Sequence, residues 1–444
     1  IKTREIGFDV VIFQEYILIQ ILNNGIMKVP KDFLRRISIA LCAVVVMYIM
    51  ISKLSTHGKG FESNIKLKKI WGSTFSKNSS QLKDICATPS ENLKQLNDNV
   101  TLNNESRGYH PLNSIYFLKI HKTGSSTLQS ILQRYGDIKN LSFALDASSH
   151  LLQYPRLFQK NFPMKLKAPY SRYDIICQHL RHSDEVFDVL KPEGKAITML
   201  REPTYNFISA FKYFDNWRKN CFGIQNIDKF LSIIENSTNI ITESGKCANR
   251  QLYDLGMEPT DAKNIIKVEK KIQEMDRTFD LVMISEYFNE GLILLKHLMN
   301  WSFDDIVYIS KNVQAKKTTG IDVTYPKAYR KIRELNMGDE TLYQYYNKTF
   351  WNIINDFGKE RMSTELSKFN QVRDKIQRYC IEEEVSGTNK QLDKFNKPNW
   401  VADKVNAYLL SKEGKDNATC KQLVTYEITY TNFLRQKMKS LGYV

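Results

Sequence analysis

The sequence lacks most of the local patterns that settle a function on their own. Its seven cysteines, Cys42, Cys86, Cys177, Cys221, Cys247, Cys380 and Cys420, include no Cys-x-x-Cys pair, which argues against a zinc ribbon or a thioredoxin-like centre. No block of Lys and Arg forms the arm of a nucleic-acid binder, and no nucleic-acid-binding motif occurs. The Gly-x4-Gly-Lys-Ser/Thr order of a Walker A loop is missing, as is a strand-terminal Asp that would hold Mg²⁺, so a P-loop nucleotide kinase is disfavoured. No internal repeat is evident. What the chain does have is charge of one sign: 64 Lys+Arg against 48 Asp+Glu give +16 over 444 residues, which favours anionic partners such as nucleotides, sulfated sugars or acidic headgroups. With 42% hydrophobic and 25% charged residues the composition is otherwise that of a globular protein.

Residues 37–51 are apolar and carry no charge, and with Phe33 and Leu34 before them and Leu54 after they approach the length needed to cross a bilayer, so that 37–54 reads as an anchor. Lys28, Lys31, Arg35 and Arg36 precede this stretch more densely than Lys53, Lys59 and Lys66 follow it. That bias predicts a type II anchor, with residues 1–36 cytoplasmic and the bulk lumenal in the Golgi. One economical reading takes Met27 as the start and 1–26 as an artefact of the gene model. Residues 55–107, rich in Ser, Asn and Lys, read as a flexible stem, and 108–444 as the folded domain. Eight Asn-x-Ser/Thr sequons, at Asn78, Asn99, Asn104, Asn140, Asn236, Asn300, Asn347 and Asn417, agree with lumenal exposure. There the six cysteines other than Cys42 could form up to three disulfides, in a pairing the sequence leaves open.

Within the folded part, apolar runs at 114–120, 173–177, 196–200 and 279–285 read as strands. Helical spacing follows the first through Leu128, Ile131, Leu132 and Tyr135, and the third through Phe207, Ile208 and Phe211; a helix over about 290–299 follows the last. Strands alternating with helices predict an α/β fold with a mostly parallel sheet covered by helices. The chain beyond about 325 reads as mainly helical. Pro203 suits the first helical position, where its missing N–H costs nothing.

The segment from Tyr116 to Thr127, Tyr-Phe-Leu-Lys-Ile-His-Lys-Thr-Gly-Ser-Ser-Thr, runs from a strand through a tight loop into a helix. Backbone N–H groups and the dipole at such a helix start favour an anion. Gly124 lets the backbone come close to it, Thr123, Ser125, Ser126 and Thr127 offer hydroxyls, and Lys122 brings a positive charge. Eight residues separate Arg201, at a strand end, from Ser209 in the following helix. A guanidinium fork and a hydroxyl in that arrangement suit a second phosphate.

These two motifs resemble the 5′-phosphosulfate loop and the 3′-phosphate site of sulfotransferases that use 3′-phosphoadenylyl sulfate (PAPS). Longer stretches narrow the resemblance. His121-Lys-Thr-Gly-Ser-Ser-Thr-Leu-Gln-Ser-Ile-Leu132, Arg201-Glu-Pro203, Phe279-Asp-Leu-Val-Met-Ile-Ser-Glu-Tyr-Phe288 and Leu342-Tyr-Gln-Tyr-Tyr-Asn-Lys-Thr-Phe-Trp351 are similar to the galactose 3-O-sulfotransferases, over roughly 110–380. The resemblance implies a P-loop-like sulfotransferase fold and PAPS as co-substrate, with no metal. It also implies transfer to the 3-hydroxyl of galactose on a glycolipid of the galactosylceramide type or on another glycan. Lys122, Thr123, Gly124, Ser125, Ser126, Thr127, Arg201 and Ser209 would bind the donor.

Transfer also needs a base for the acceptor hydroxyl, and His is the usual choice near neutral pH. Among the seven histidines, His57 falls in the stem, and His121 lies inside the anion loop, where a proton-free base is harder to maintain. His179 ends a strand on the edge where parallel α/β folds gather their sites, and is the candidate base beside Lys122, with His182 in reserve. The family pattern there has a His pair, of which this chain keeps only His179, the first being Gln178. Two other readings remain open: a sulfotransferase acting on a glycosaminoglycan, and a non-catalytic PAPS- or glycan-binding protein.

Overall fold

The computed structural model describes residues 110–236, 247–310, 324–398, 402 and 405–444. The expected tail, anchor and stem, with Cys42, Cys86, His57, Asn78, Asn99 and Asn104, lie outside the described residues. Among the described residues, no helix is long and apolar enough to cross a membrane.

Four parallel strands form the central sheet: β1 (Ile115–Leu118), β2 (Ile175–Ile176), β3 (Lys195–Leu200) and β4 (Leu281–Ile284). All are buried apart from Lys195 at the β3 edge, which explains their near-continuous apolar sequences. Each lies inside the run read from the sequence, or within one residue of it. The strand order is β2-β1-β3-β4, so the chain leaves β1 to one side and returns on the other. Such a reversal opens a crevice beyond the C-terminal ends of β1 and β3, where open α/β sheets bind their ligands.

Helices flank the sheet. They are α1 (Ser125–Ile138), α2 (Pro203–Tyr213), α3 (Asp215–Phe222), α4 (Ile227–Asn236), α5 (Arg250–Asp254) and α6 (Ile265–Thr278). They continue as α7 (Phe288–Met299), α8 (Pro326–Leu335), α9 (Met337–Phe357), α10 (Lys359–Cys380) and α11 (Glu427–Ser440), with shorter turns between. Pro203 opens α2 as expected, and the Glu202 side chain accepts the Tyr205 N–H as its cap.

α1 is buried on more than its apolar stripe. Leu128, Ile131, Leu132 and Tyr135 enter the main core, and each such side chain contributes about 1.5–3 kcal/mol on burial. The other flank is covered by α11, so Gln129, Gln133 and Asp137 are buried too. Gln133 donates to Thr431, while Asp137 accepts from Tyr430 and Lys437. Gly136 permits the close approach of this helix to the sheet; a Cβ there would meet the Phe143 ring at 2.3 Å.

The helical reading of the C-terminal third holds for α8 to α11 and fails at one place. Ile381–Ser386 (β5) pairs antiparallel with Asn406–Leu410 (β6). Glu382, Glu383 and Glu384 gave no strand-like alternation. The hairpin is held by tertiary means, with Tyr408 and Leu410 packed on Cys380, Leu423 and Val424 beside the Cys380–Cys420 disulfide. A second disulfide joins Cys221 to Cys247, and Cys177 is a buried free thiol.

Candidate active site

The loop from Lys119 to Gly124 leaves β1 at the crevice, and its backbone is held by side chains from four directions. His179 Nδ1 lies 3.0 Å from the Lys119 carbonyl. Thr123 and Ser125 hydroxyls both donate to the Ile120 carbonyl, at 3.1 and 2.7 Å. Asn206 donates to the His121 carbonyl at 2.8 Å, and Arg201 Nη1 to the Lys122 carbonyl at 3.0 Å. In a trans peptide the N–H points opposite to the C=O, so fixing these four carbonyls also fixes the following N–H groups. Lys122 has φ 63° and Gly124 has φ 84°. The first is a strained conformation for a side-chain-bearing residue, costing roughly 1–3 kcal/mol, and such strain clusters at ligand-binding turns. The second suits glycine alone, and hands the chain to the open N-terminus of α1.

The hydroxyls divide differently from the expectation. Thr123 and Ser125 turn their protons inward to the loop's own carbonyl, so their side chains shape the cradle. Ser126 hydrogen-bonds to Glu427. Thr127 stands in the first turn of α1, its N–H donating to the Gly124 carbonyl. Lys122 Nζ lies 3.5 Å from the centroid of the Tyr213 ring, a cation–π contact. Burial, followed by the repulsion of Arg201, brings its pKa down to about 7.

Arg201 is clasped at its backbone by Gln251, whose amide donates to the Arg201 carbonyl at 2.8 Å and accepts its N–H at 2.9 Å. The two anion grips inferred from sequence thus share one crevice, joined by the Arg201–Lys122 bond. Ser209 is buried on α2. It lies three residues after Asn206, which touches the loop, and four before Tyr213, which lies under Lys122, so all three share a helix face.

His179 reaches the same place from the end of β2. Its Nδ1 is occupied by the Lys119 carbonyl, which assigns the proton to that nitrogen and leaves the Nε2 lone pair open. Burial, then the neighbouring His121, hold its pKa well below the ordinary value, so the ring is neutral. The His121 ring is stacked on it, with centroids 3.9 Å apart and planes 12° apart. Asp254 accepts both the backbone N–H and Nδ1 of His121, each at 2.8 Å, and the Tyr154 hydroxyl at 3.0 Å. A carboxylate on Nδ1 is the arrangement that orients an imidazole with Nε2 outward. The loop histidine set aside in the sequence is therefore equipped as a proton acceptor as well. His182 is not: it is buried against Tyr116 and Phe279, its Nδ1 3.0 Å from the Tyr116 hydroxyl. Burial, followed by Lys271, lowers its pKa to about 4. Arg181, given no role from sequence, donates to the Tyr253 and Met257 carbonyls and fastens the segment bearing Asp254.

Below the loop, Lys119 is buried and paired with Glu427 at 2.7 Å and with Gln129 at 2.6 Å. Burial works against the Glu427 carboxylate, but Lys119 and the Ser126 hydroxyl hold its pKa below the ordinary value. Gln178, which stands where the family pattern has the first histidine of its pair, accepts from Gln129 at 3.0 Å and donates to Thr431 at 3.1 Å. It belongs to this buried network under the loop. Among the described residues, no group of three or more His, Cys, Asp or Glu is arranged to hold a metal ion.

The model of the galactose-3-O-sulfotransferase family matches residues 67–438. The chain belongs to the galactose-3-O-sulfotransferase family. It is 30% identical over 338 residues to galactosylceramide sulfotransferase of Bos taurus, covering 74% of this chain and 79% of that protein. It is also similar to galactose-3-O-sulfotransferase 2 of Sus scrofa, 27% identical over 332 residues (72% of this chain, 83% of the other). With galactose-3-O-sulfotransferase 3 of Homo sapiens the identity is 30% over 345 residues (74% and 79%). Membership makes the chain a carbohydrate sulfotransferase.

Asp254, Asn206, Gln251, Tyr154, Tyr213 and Glu427 were missed from sequence. Asn206 and Tyr213 carried a signal in their helical spacing about Ser209. Asp254 carried none, being 133 residues from the histidine it holds.

Proposed function

We propose that this protein transfers the sulfuryl group of PAPS to the 3-hydroxyl of a galactose residue on a glycolipid or glycan, from a Golgi lumenal domain carried on a single type II anchor at 37–54. The observation that carries the reading is the Arg201–Lys122 contact, which unites the loop cradle and the second phosphate grip beside two imidazoles. In the reaction the acceptor oxygen forms a bond to sulfur as the bond from sulfur to the donor's phosphate oxygen breaks, releasing adenosine 3′,5′-bisphosphate. The acceptor proton passes to Nε2 of an imidazole: His179 in the reading from sequence, with His121 equipped beside it. Lys122 and the loop N–H groups stabilise charge on the sulfuryl oxygens and the departing phosphate. Thr123, Gly124, Ser125, Ser126 and Thr127 line the 5′ end of the donor, and Arg201 and Ser209 take its 3′-phosphate. Two disulfides and the exposed sequon at Asn140 support an oxidising lumenal setting.

The test uses purified protein, labelled PAPS, and galactosylceramide, lactosylceramide and N-acetyllactosamine as acceptors, with thin-layer separation of products. Sulfated galactosides that disappear with Lys122→Ala are expected. Donor turnover independent of Lys122, or no labelled product from any of the galactose-terminated acceptors, refutes the proposal.

A further inference from the structure

Three aromatic side chains around the imidazole pair, Tyr154, Tyr213 and Phe214, are half-buried yet belong to none of the hydrophobic clusters of the described residues. Two are accounted for. Tyr213 lies under the Lys122 ammonium, and Tyr154 hydrogen-bonds to Asp254. Phe214 has no polar atom to explain its position. It sits at the junction of α2 and α3, beside a cluster of Phe207, Phe211, Trp217, Phe222 and Phe230 that it does not join. Its ring instead turns to the site, with its centroid 5.8 Å from that of His121 and the planes 68° apart. The Arg250 guanidinium lies 5.3 Å from the Phe214 centroid, and its buried Nε has no hydrogen-bond partner among the described residues.

An apolar ring kept out of an adjoining core and held against the proton acceptors calls for a ligand with an apolar face. A galactose ring has one. Its axial 4-hydroxyl leaves the hydrogens on C3, C4 and C5 on the same side, a patch that packs on an aromatic ring, whereas glucose, with that hydroxyl equatorial, breaks the patch at C4. Stacked in this way, the sugar presents O3 at the edge of the covered patch, next to the imidazoles, with Arg250 close enough to donate to a neighbouring hydroxyl. We infer that Phe214 is the stacking platform for the acceptor galactose and a specificity-determining residue of the site; this rests on the reading under Proposed function.

The experiment compares wild type, Phe214→Leu and Phe214→Tyr. Leucine keeps the apolar volume but removes the aromatic face; tyrosine keeps the face. Steady-state transfer to matched galactose- and glucose-terminated lipids is measured beside the affinity for adenosine 3′,5′-bisphosphate. For Phe214→Leu we expect the acceptor KM to rise about tenfold. The preference for galactose over glucose should fall by a similar factor, and the bisphosphate Kd should stay within about twofold. Phe214→Tyr should restore both acceptor values. An unchanged acceptor KM and preference in Phe214→Leu, with wild type active, overturns the platform and leaves the proposed function standing. So does an equal shift in the bisphosphate Kd, or a failure of tyrosine to restore what leucine loses. A wild type that binds no bisphosphate and transfers no sulfate overturns the proposed function, and the platform falls with it.

Discussion

If Lys122 binds the donor as proposed, it ties donor affinity to pH. In the free protein its pKa is brought to about 7 by burial and by Arg201, with Tyr213 as its ring partner. A bound phosphosulfate or phosphate favours the ammonium, returning the group to at least the ordinary lysine pKa of about 10.4. The sign follows from linkage. Binding takes up a proton wherever free Lys122 is neutral, so affinity is full below about pH 7 and declines as pH rises above it. Adenosine 3′,5′-bisphosphate is the convenient probe, because its phosphates are fully ionised above about pH 7.5, their second pKa being near 6. Between about pH 7.5 and 9.0 its Kd should weaken about twentyfold, and at about pH 8 binding should take up about 0.9 proton. Titration calorimetry in buffers of different ionisation enthalpy reads both quantities. In Lys122→Arg the guanidinium stays charged throughout, and the profile should flatten to within about twofold. A wild-type Kd that stays level across this range with no proton uptake would refute the argument, as would a slope that survives in Lys122→Arg.

Other expectations concern the groups around that lysine. Arg201→Ala should weaken bisphosphate binding by roughly tenfold to a hundredfold, the worth of hydrogen bonds to a charged group, with thermal stability as the control. His179→Ala should bind donor normally and lose about 10²-fold or more in turnover, and retained turnover would move the base to His121. Asp254→Asn keeps a hydrogen-bonding side chain but loses the charge that orients His121; a fall in kcat with donor Kd unchanged is expected, and a wild-type kcat would remove Asp254 from the machinery. Glu427→Gln strands the buried Lys119 ammonium and should cost about 3–5 kcal/mol in denaturant unfolding, much of it recovered by adding Lys119→Met. Because the Glu427 pKa is held below its unfolded value, that contribution is present above the unfolded pKa and fades as pH falls through the folded one.

The strand segments of the sheet and the strand–loop–helix turn were legible in the sequence because both are local. An apolar run, a glycine needing positive φ and a lysine at fixed spacing lie within Tyr116–Thr127, and Pro203 marks the start of α2. What the sequence did not carry is which atoms those side chains use. Short hydroxyls bond whatever backbone is within reach, and for Thr123 and Ser125 that is the Ile120 carbonyl. The β5–β6 hairpin was invisible for the complementary reason: its three glutamates are exposed, and its register comes from the partner strand, where Asn406 donates to Glu384, and from the Cys380–Cys420 link. The orientation of the second imidazole was not legible because it depends on Asp254, delivered by α5. That helix is capped in turn by Asp339, which accepts the Gln251 and Leu252 N–H groups.

The division of charge in the crevice fits the proposed role of Lys122 as the donor-facing cation. Lys119 is committed to Glu427, His121 to Asp254, and the Arg201 guanidinium feels Glu286 and Glu202. Lys122 is held by an aromatic ring instead of a carboxylate. A carboxylate partner would have kept the ammonium charged, but it would also have cancelled the field that a donor anion feels and would have to be displaced on binding. A π-face holds the side chain in position while presenting no competing negative charge, at the cost of a charge that is only half-retained near neutrality. On the proposed function, the donor anion would complete the site electrostatically, and its departure as product would return Lys122 to the titrating state. The low pKa of the lysine comes from burial and then from Arg201, with the attraction of Glu427 too weak to offset them, and no carboxylate lies within ion-pair distance of Lys122 among the described residues.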